Sequence, residues 1–173
     1  MASYFYLISS LPMLKADGEM PFKYNEFLKM CKTAVSEQKY NELAELTLSS
    51  SKGPLVSEWH KFYGVLETEM AFQRNQRLNR PVATPYNRNE GIARTVTAAI
   101  NQKNPLLAEQ MLLSLEFDKL DELIGTHYFD DYALMGYAIK LKLLERKSVF
   151  VKETGKAELD RLVNLLEQEV LNI

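Results

Sequence analysis

Reactive side chains are scarce in this chain of 173 residues, and each scarcity excludes something. A single cysteine, Cys31, rules out an internal disulfide framework. Its apolar helical neighbours predict a buried, inert thiol rather than a nucleophile. Two histidines, His60 and His127, are too few for a histidine metal cluster, and no pair of Glu-x-x-His motifs exists for a di-iron bundle. The glycines are scattered, with no phosphate cradle and no dinucleotide fingerprint. Basic excess is also missing: the net charge is −2, the wrong sign for a dedicated nucleic-acid binder. No run approaches the roughly 20 apolar residues of a membrane span. The apolar start, SYFYLISSLPML, has no Lys or Arg before it and is interrupted by Pro12, unlike a secretory leader. A soluble, cytoplasmic protein is expected.

Helical periodicity is what the chain has in abundance. Val56, Trp59, Phe62, Tyr63, Leu66 and Met70 recur at three and four, predicting a long helix from Leu55 to about Leu78. Ser36 reads as an N-cap for Glu37 to Leu48, whose Tyr40, Leu43, Leu46 and Thr47 would face inward. Tyr24 to Ala34 reads as helical. Asn89 would cap a helix over Glu90 to Ile100, and Asn104-Pro105 opens another over Leu106 to Leu115. The organising stretch is FDKLDELIGTHYFDDYALMGYAIKLKLLERKSVF: an acidic helical turn (Asp118 to Ile124), a His-Tyr-Phe corner, then a long helix. On that helix Leu134, Ala138, Leu141 and Glu145 share a stripe with Tyr137 and Leu144 beside it, which predicts a packing hub touched by several neighbours. Thr154 would cap a last amphipathic helix over Lys156 to Leu171.

The expected fold is therefore all-α: an antiparallel helical bundle of seven or eight helices, with Tyr4 to Ile8 as a short N-terminal extended segment. The chain reads as one domain over residues 1–173. Lys39-Tyr40-Asn41-Glu42-Leu43 and Lys119-Leu120-Asp121-Glu122-Leu123 are alike, and each precedes a long aromatic-rich helix with a basic end. Two repeated helical units are one reading of this, over 1–80 and 104–173, joined by a loop and short helix over 81–103.

Catalytic chemistry has little to stand on. Asp118, Asp121, Glu122, Asp130 and Asp131 could serve acid–base work, but carboxylates at helix starts complement the helix dipole. No catalytic, cofactor-binding or metal-binding residue is assigned, and a non-enzyme is expected. The charged feature above background is Arg74, Arg77, Arg80, Arg88 and Arg94, opposed nearby only by Glu90. Guanidinium forks suit carboxylates and phosphates, so one reading is a docking site for an acidic protein surface, or secondarily RNA. The plainer reading is a solvated helix end whose cations match the dipole.

SYFYLISSLPML, EFLKMCKTAVSEQKYNELAEL and above all LDELIGTHYFDDYALMGYAIKLKLLERK resemble a bacterial family encoded beside V-type ATPase subunits. That family is in turn similar to the C-type stalk component of V-type ATP synthases (the d-type component of eukaryotic enzymes), built of repeated helical units. Tyr63 to Arg77 resembles its long helix and Tyr137 to Lys147 a second copy. The C-type component proper has three units and roughly twice this length, a departure from the pattern. The resemblance implies a non-catalytic part of the central stalk without cofactors, seated between the shaft and the membrane ring and coupling the catalytic sector to proton or sodium transport. It implies a cytoplasmic protein held at the membrane only through the complex; the charge pattern makes the Arg74 to Arg94 segment the candidate contact. The alternative is a helical adaptor or regulatory protein that binds an acidic partner or RNA through the same arginines.

Overall fold

A computed structural model of the chain describes residues 4–83, 88–148 and 161–163. Its helices are α1 (Phe5–Ser10), α2 (Tyr24–Cys31), α3 (Glu37–Ala44), α4 (Pro54–Arg77), α5 (Glu90–Ile100), α6 (Pro105–Ile124) and α7 (Asp131–Ser148). Residues 161–163 are also helical, and there is no strand among the described residues. The helix expected over Lys156 to Leu171 otherwise lies outside the described residues.

The hub helix is the centre of the packing. Nine residues of α7 are buried, among them Leu134, Ala138, Leu141 and Leu144. It lies against α2, α4 and α6. The approach to α6 is close: a methyl group on Gly136 would collide with the Ile124 side chain, so any larger residue at that crossing would have to push Ile124 aside. Polar ties fix α7 to the N-terminal loops. Tyr137 Oη donates to Pro12 O at 3.1 Å, and Lys147 Nζ donates to Ala16 O and Gly18 O at 3.0 and 3.1 Å. The main core runs from Tyr4 to Leu144 and includes Phe27, Leu43, Trp59, Leu120 and Ile139. Trp59 is fully buried and its indole N–H donates to Leu48 O at 2.9 Å, meeting the partner requirement of a buried ring nitrogen.

A second cluster of Leu66, Ile92 and Val96 is flanked by Val65, Met70, Ile100, Leu112 and Leu115. Its residues come from the second half of α4, from α5 and from the first half of α6. Helices α4 and α6 contribute residues to both clusters, so the stretches on either side of the 81–103 connection are in contact with each other. The likeness between the two short segments survives locally: Lys39 pairs with Glu42, and Lys119 with Glu122, each at a spacing of three.

Four expectations need correction. The N-terminal segment is not extended: Phe5–Ser10 is helical, because no neighbouring strand among the described residues takes up its backbone groups, and a helix satisfies them internally. The acidic turn is not separate but the end of α6, which runs for 20 residues with no glycine or proline between Pro105 and Gly125. α3 stops at Ala44, and Thr47 is exposed, bonded to Ser50 in the turn that follows. Pairing is also not antiparallel throughout. Contacts Arg88–Glu69, Gln73–Ala93 and Arg77–Ile100 ascend together, so α5 runs parallel to the second half of α4. α7, by contrast, opposes α6 through Lys140–Asp121 and Arg146–Glu116.

Candidate partner-docking surface

The five arginines gather where α4 ends and α5 lies beside it, but they do different things. α4 closes with Asn79 at φ 52°, while Asn79 N–H donates to Gln76 O and Arg80 N–H to Asn75 O, both at 3.0 Å. This is the pattern of a Schellman stop, with asparagine in the left-handed position. The chain then returns, and Asn89 Oδ1 accepts from Ile92 N–H at 3.1 Å to open α5. The fold thereby brings Arg88 beside Glu69, a residue that sequence reasoning misses.

Glu69 is 2 % exposed and is the acceptor at the centre of this corner. Arg88 Nε and Nη2 donate to it at 3.0 to 3.2 Å, with the guanidinium 5.4 Å from the Phe72 ring centre. Gln73 Nε2 donates to Glu69 Oε1 at 2.6 Å and to Ala93 O at 3.0 Å. Burial pushes the Glu69 carboxyl up, but the hydrogen bonds from Arg88 and Gln73 outweigh it and hold the group below its ordinary range. Glu69 was legible in principle: it stands at Leu66 plus three, an inward position where a carboxylate demands a cation.

Arg77 is also engaged, its Nη1 donating to the α5 terminal carbonyl of Ile100 at 2.7 Å. Arg94 makes only a long contact of 3.5 Å to Glu90 O. Arg74 and Arg80 have no side-chain hydrogen bond or ion pair among the described residues, and both are exposed. An open depression of about 590 Å³ runs along α5, lined by Arg88, Glu90, Ala93, Arg94, Thr97 and Ala98. Its small side chains leave room for an incoming group beside Arg94. Of the five arginines, then, Arg77 and Arg88 hold the fold, while Arg74, Arg80 and Arg94 offer guanidinium donors to solvent.

A second ionic centre, between α6 and α7, has no local signature in the sequence. Arg146 donates to both oxygens of Glu116 at 2.9 and 2.6 Å, and its Nε to Glu109 at 3.1 Å. Glu116 is 1 % exposed, and burial pushes its carboxyl above the ordinary range against the pull of Arg146. Glu116 keeps Arg146 firmly protonated despite its own burial cost. This centre is a packing element inside the bundle.

The carboxylates weighed for acid–base work are dispersed. Asp121 pairs with Lys140, and Glu122 with Lys119. Asp118 is exposed. Asp131 lies 3.6 Å from Lys39. Asp130 Oδ1 accepts from Tyr132 N–H and Ala133 N–H at 3.1 and 3.2 Å and caps α7, while His127 Nδ1 bonds its other oxygen. His127 stacks on Tyr132, as a corner residue would, and His60 is exposed. Cys31 is fully buried and its thiol is pushed up to about 12 by burial. Among the described residues no group of three or more His, Cys, Asp or Glu could hold a metal ion. No helix among them is long and apolar enough to cross a membrane.

Residues 92–170 match the model of a family described as "Protein of unknown function (DUF2764)". The match, a little under half of the chain, begins inside α5 and takes in Arg94, the Glu116–Arg146 centre and the hub helix; α1 to α4 lie outside it. No curated protein and no solved structure matches the chain.

Proposed function

We propose that the chain is a non-catalytic part of a V-type ATPase, similar to its C-type stalk component, bridging the soluble catalytic sector and the membrane rotor by protein–protein contacts. The observation that carries this reading is the division among the arginines. Arg88 and Arg146 are neutralised by buried carboxylates, yet Arg74, Arg80 and Arg94 stand without an ion pair among the described residues. Three exposed guanidiniums with only Glu90 close by present a surface suited to an acidic protein partner. A rigid body of long helices sharing one core is the kind of part that transmits force by shape. The resemblance in LDELIGTHYFDDYALMGYAIKLKLLERK supplies the particular complex.

The test is purification of the tagged protein from its own membranes in mild detergent, with the partners identified by mass spectrometry. Recovery of the ATPase shaft and ring components in fixed proportion is expected. Arg74→Glu with Arg94→Glu should lose that recovery while the thermal midpoint stays put, since neither side chain makes an ion pair among the described residues. Recovery of RNA without the ATPase, weakening steeply with salt as phosphate binding does, would replace this reading with the adaptor.

A further inference from the structure

At the other end of α4 the molecule exposes a second surface of opposite chemistry. Tyr6 is 88 % exposed, Tyr128 67 %, Phe5 49 % and Phe129 39 %. The four rings form one chain, with centroids 5.6 Å apart for Phe5–Tyr6, 4.7 Å for Phe5–Phe129 and 6.4 Å for Tyr128–Phe129. The patch is held in place, because Tyr4 N–H donates to Phe129 O at 2.9 Å and Asp130 caps the helix that follows. Its position follows from Gly136, which meets both Ile124 at the end of α6 and Leu55 at the start of α4. The aromatic corner therefore lies toward the start of α4 and Arg74 to Arg80 toward its end, and α4 itself has 24 residues, about 36 Å at 1.5 Å per residue.

Contiguous exposed aromatics of this kind mark interaction sites, since tyrosine and phenylalanine bring large contact area with few rotatable bonds. The charge beside them selects the partner. Asp130 and Asp131 adjoin Phe129; Lys39 is shared between Glu42 and Asp131, while Asp130 is bonded by His127 and by the first N–H groups of α7, so the charged rim of the corner holds three carboxylates and one lysine. An anionic membrane is disfavoured by that excess, whereas a helix with cationic flanks is favoured.

We propose that the Phe5–Tyr6–Tyr128–Phe129 corner seats an amphipathic helix of a protein partner, one whose apolar face is flanked by Lys or Arg. The proposal extends the bridging reading, which requires a second contact surface. It stands apart from which complex supplies the helix.

The experiment replaces Tyr6 with photo-reactive p-benzoylphenylalanine in the full chain, irradiates the cells that make it, and maps the adduct by mass spectrometry. The expected adduct lies in another protein, on a helical peptide with Lys or Arg beside its apolar face. Its yield should fall at least tenfold when Tyr128→Ser is added, with circular dichroism unchanged. An adduct to residues 149–173 of the same chain, to a second copy or to lipid would overturn the proposal. So would the absence of any adduct, or a partner peptide rimmed by acids. Should the adduct have the expected chemistry but belong to a protein outside the ATPase, this seat stands and the ATPase reading falls.

Discussion

Arg146 shows what a single residue contributes here. It closes the basic end of α7, where a sequence alone suggests a solvated cation, yet its guanidinium is the counter-charge of a carboxylate almost fully out of water. Removing one partner of such a pair leaves the other charge buried without compensation, at a cost of about 3 to 5 kcal/mol. Arg146→Met should therefore lower stability by about 3 kcal/mol in urea unfolding. Adding Glu116→Leu to Arg146→Met should restore much of that loss, because two apolar side chains of similar volume replace the pair. If the single and double variants prove equally unstable, the pair is not the source of the effect. The same logic separates Arg88, which neutralises buried Glu69, from Arg74, which has no carboxylate partner among the described residues. Net charge and a count of local opposites could not draw that distinction, since Glu69 is 19 residues from Arg88 along the chain.

At the scale of elements, the starts of helices were legible and their ends and directions less so. Ser36, Asn89 and Asn104 cap where short polar side chains precede apolar periods, each accepting a backbone N–H. That signal is local, a matter of one side chain and the next turn. Whether Phe5–Ser10 is helix or strand depends on whether a partner strand exists, and the direction of α5 depends on how the loop after Asn79 returns; neither is local. The Asp130 cap gives a pH-dependent prediction. Burial raises its carboxyl, but His127 and the N–H groups of Ala133 and Tyr132 outweigh it, leaving it below the ordinary value. A depressed carboxyl stabilises the fold above its unfolded value, about 3.9, and that contribution is lost as pH falls through the lower folded value. Asp130→Ala should cost about 1 kcal/mol near pH 6. The gap from the wild type should narrow below about pH 4, because protonation disables the cap in the wild type as well. A gap constant from about pH 6 to about pH 2.5 would show the cap to be indifferent to charge. Glu116 acts in the opposite sense: its raised carboxyl favours the fold at low pH, and that help fades as pH rises through its folded value.

Taken whole, the molecule is two core clusters threaded by the same two helices, α4 and α6, with a basic surface at one end and an aromatic, acid-rimmed one at the other. Shared helices predict one cooperative unfolding transition. Fluorescence of Trp59, which lies in the main cluster, should lose its native signal at the same urea concentration as helicity measured by circular dichroism. Two separated midpoints would instead mark two folding units. The Glu116–Arg146 pair carries a mechanical consequence as well. Sliding α7 along α6 by one helical turn, about 5.4 Å, in the direction away from Glu116 would part the guanidinium from that carboxylate and leave a buried charge without its partner. Smaller slips meet the seat of Gly136 against Ile124, where a neighbouring side chain carried into the glycine's place would collide. The pair and the glycine seat thus key the two helices in one axial register, as a tongue and slot do.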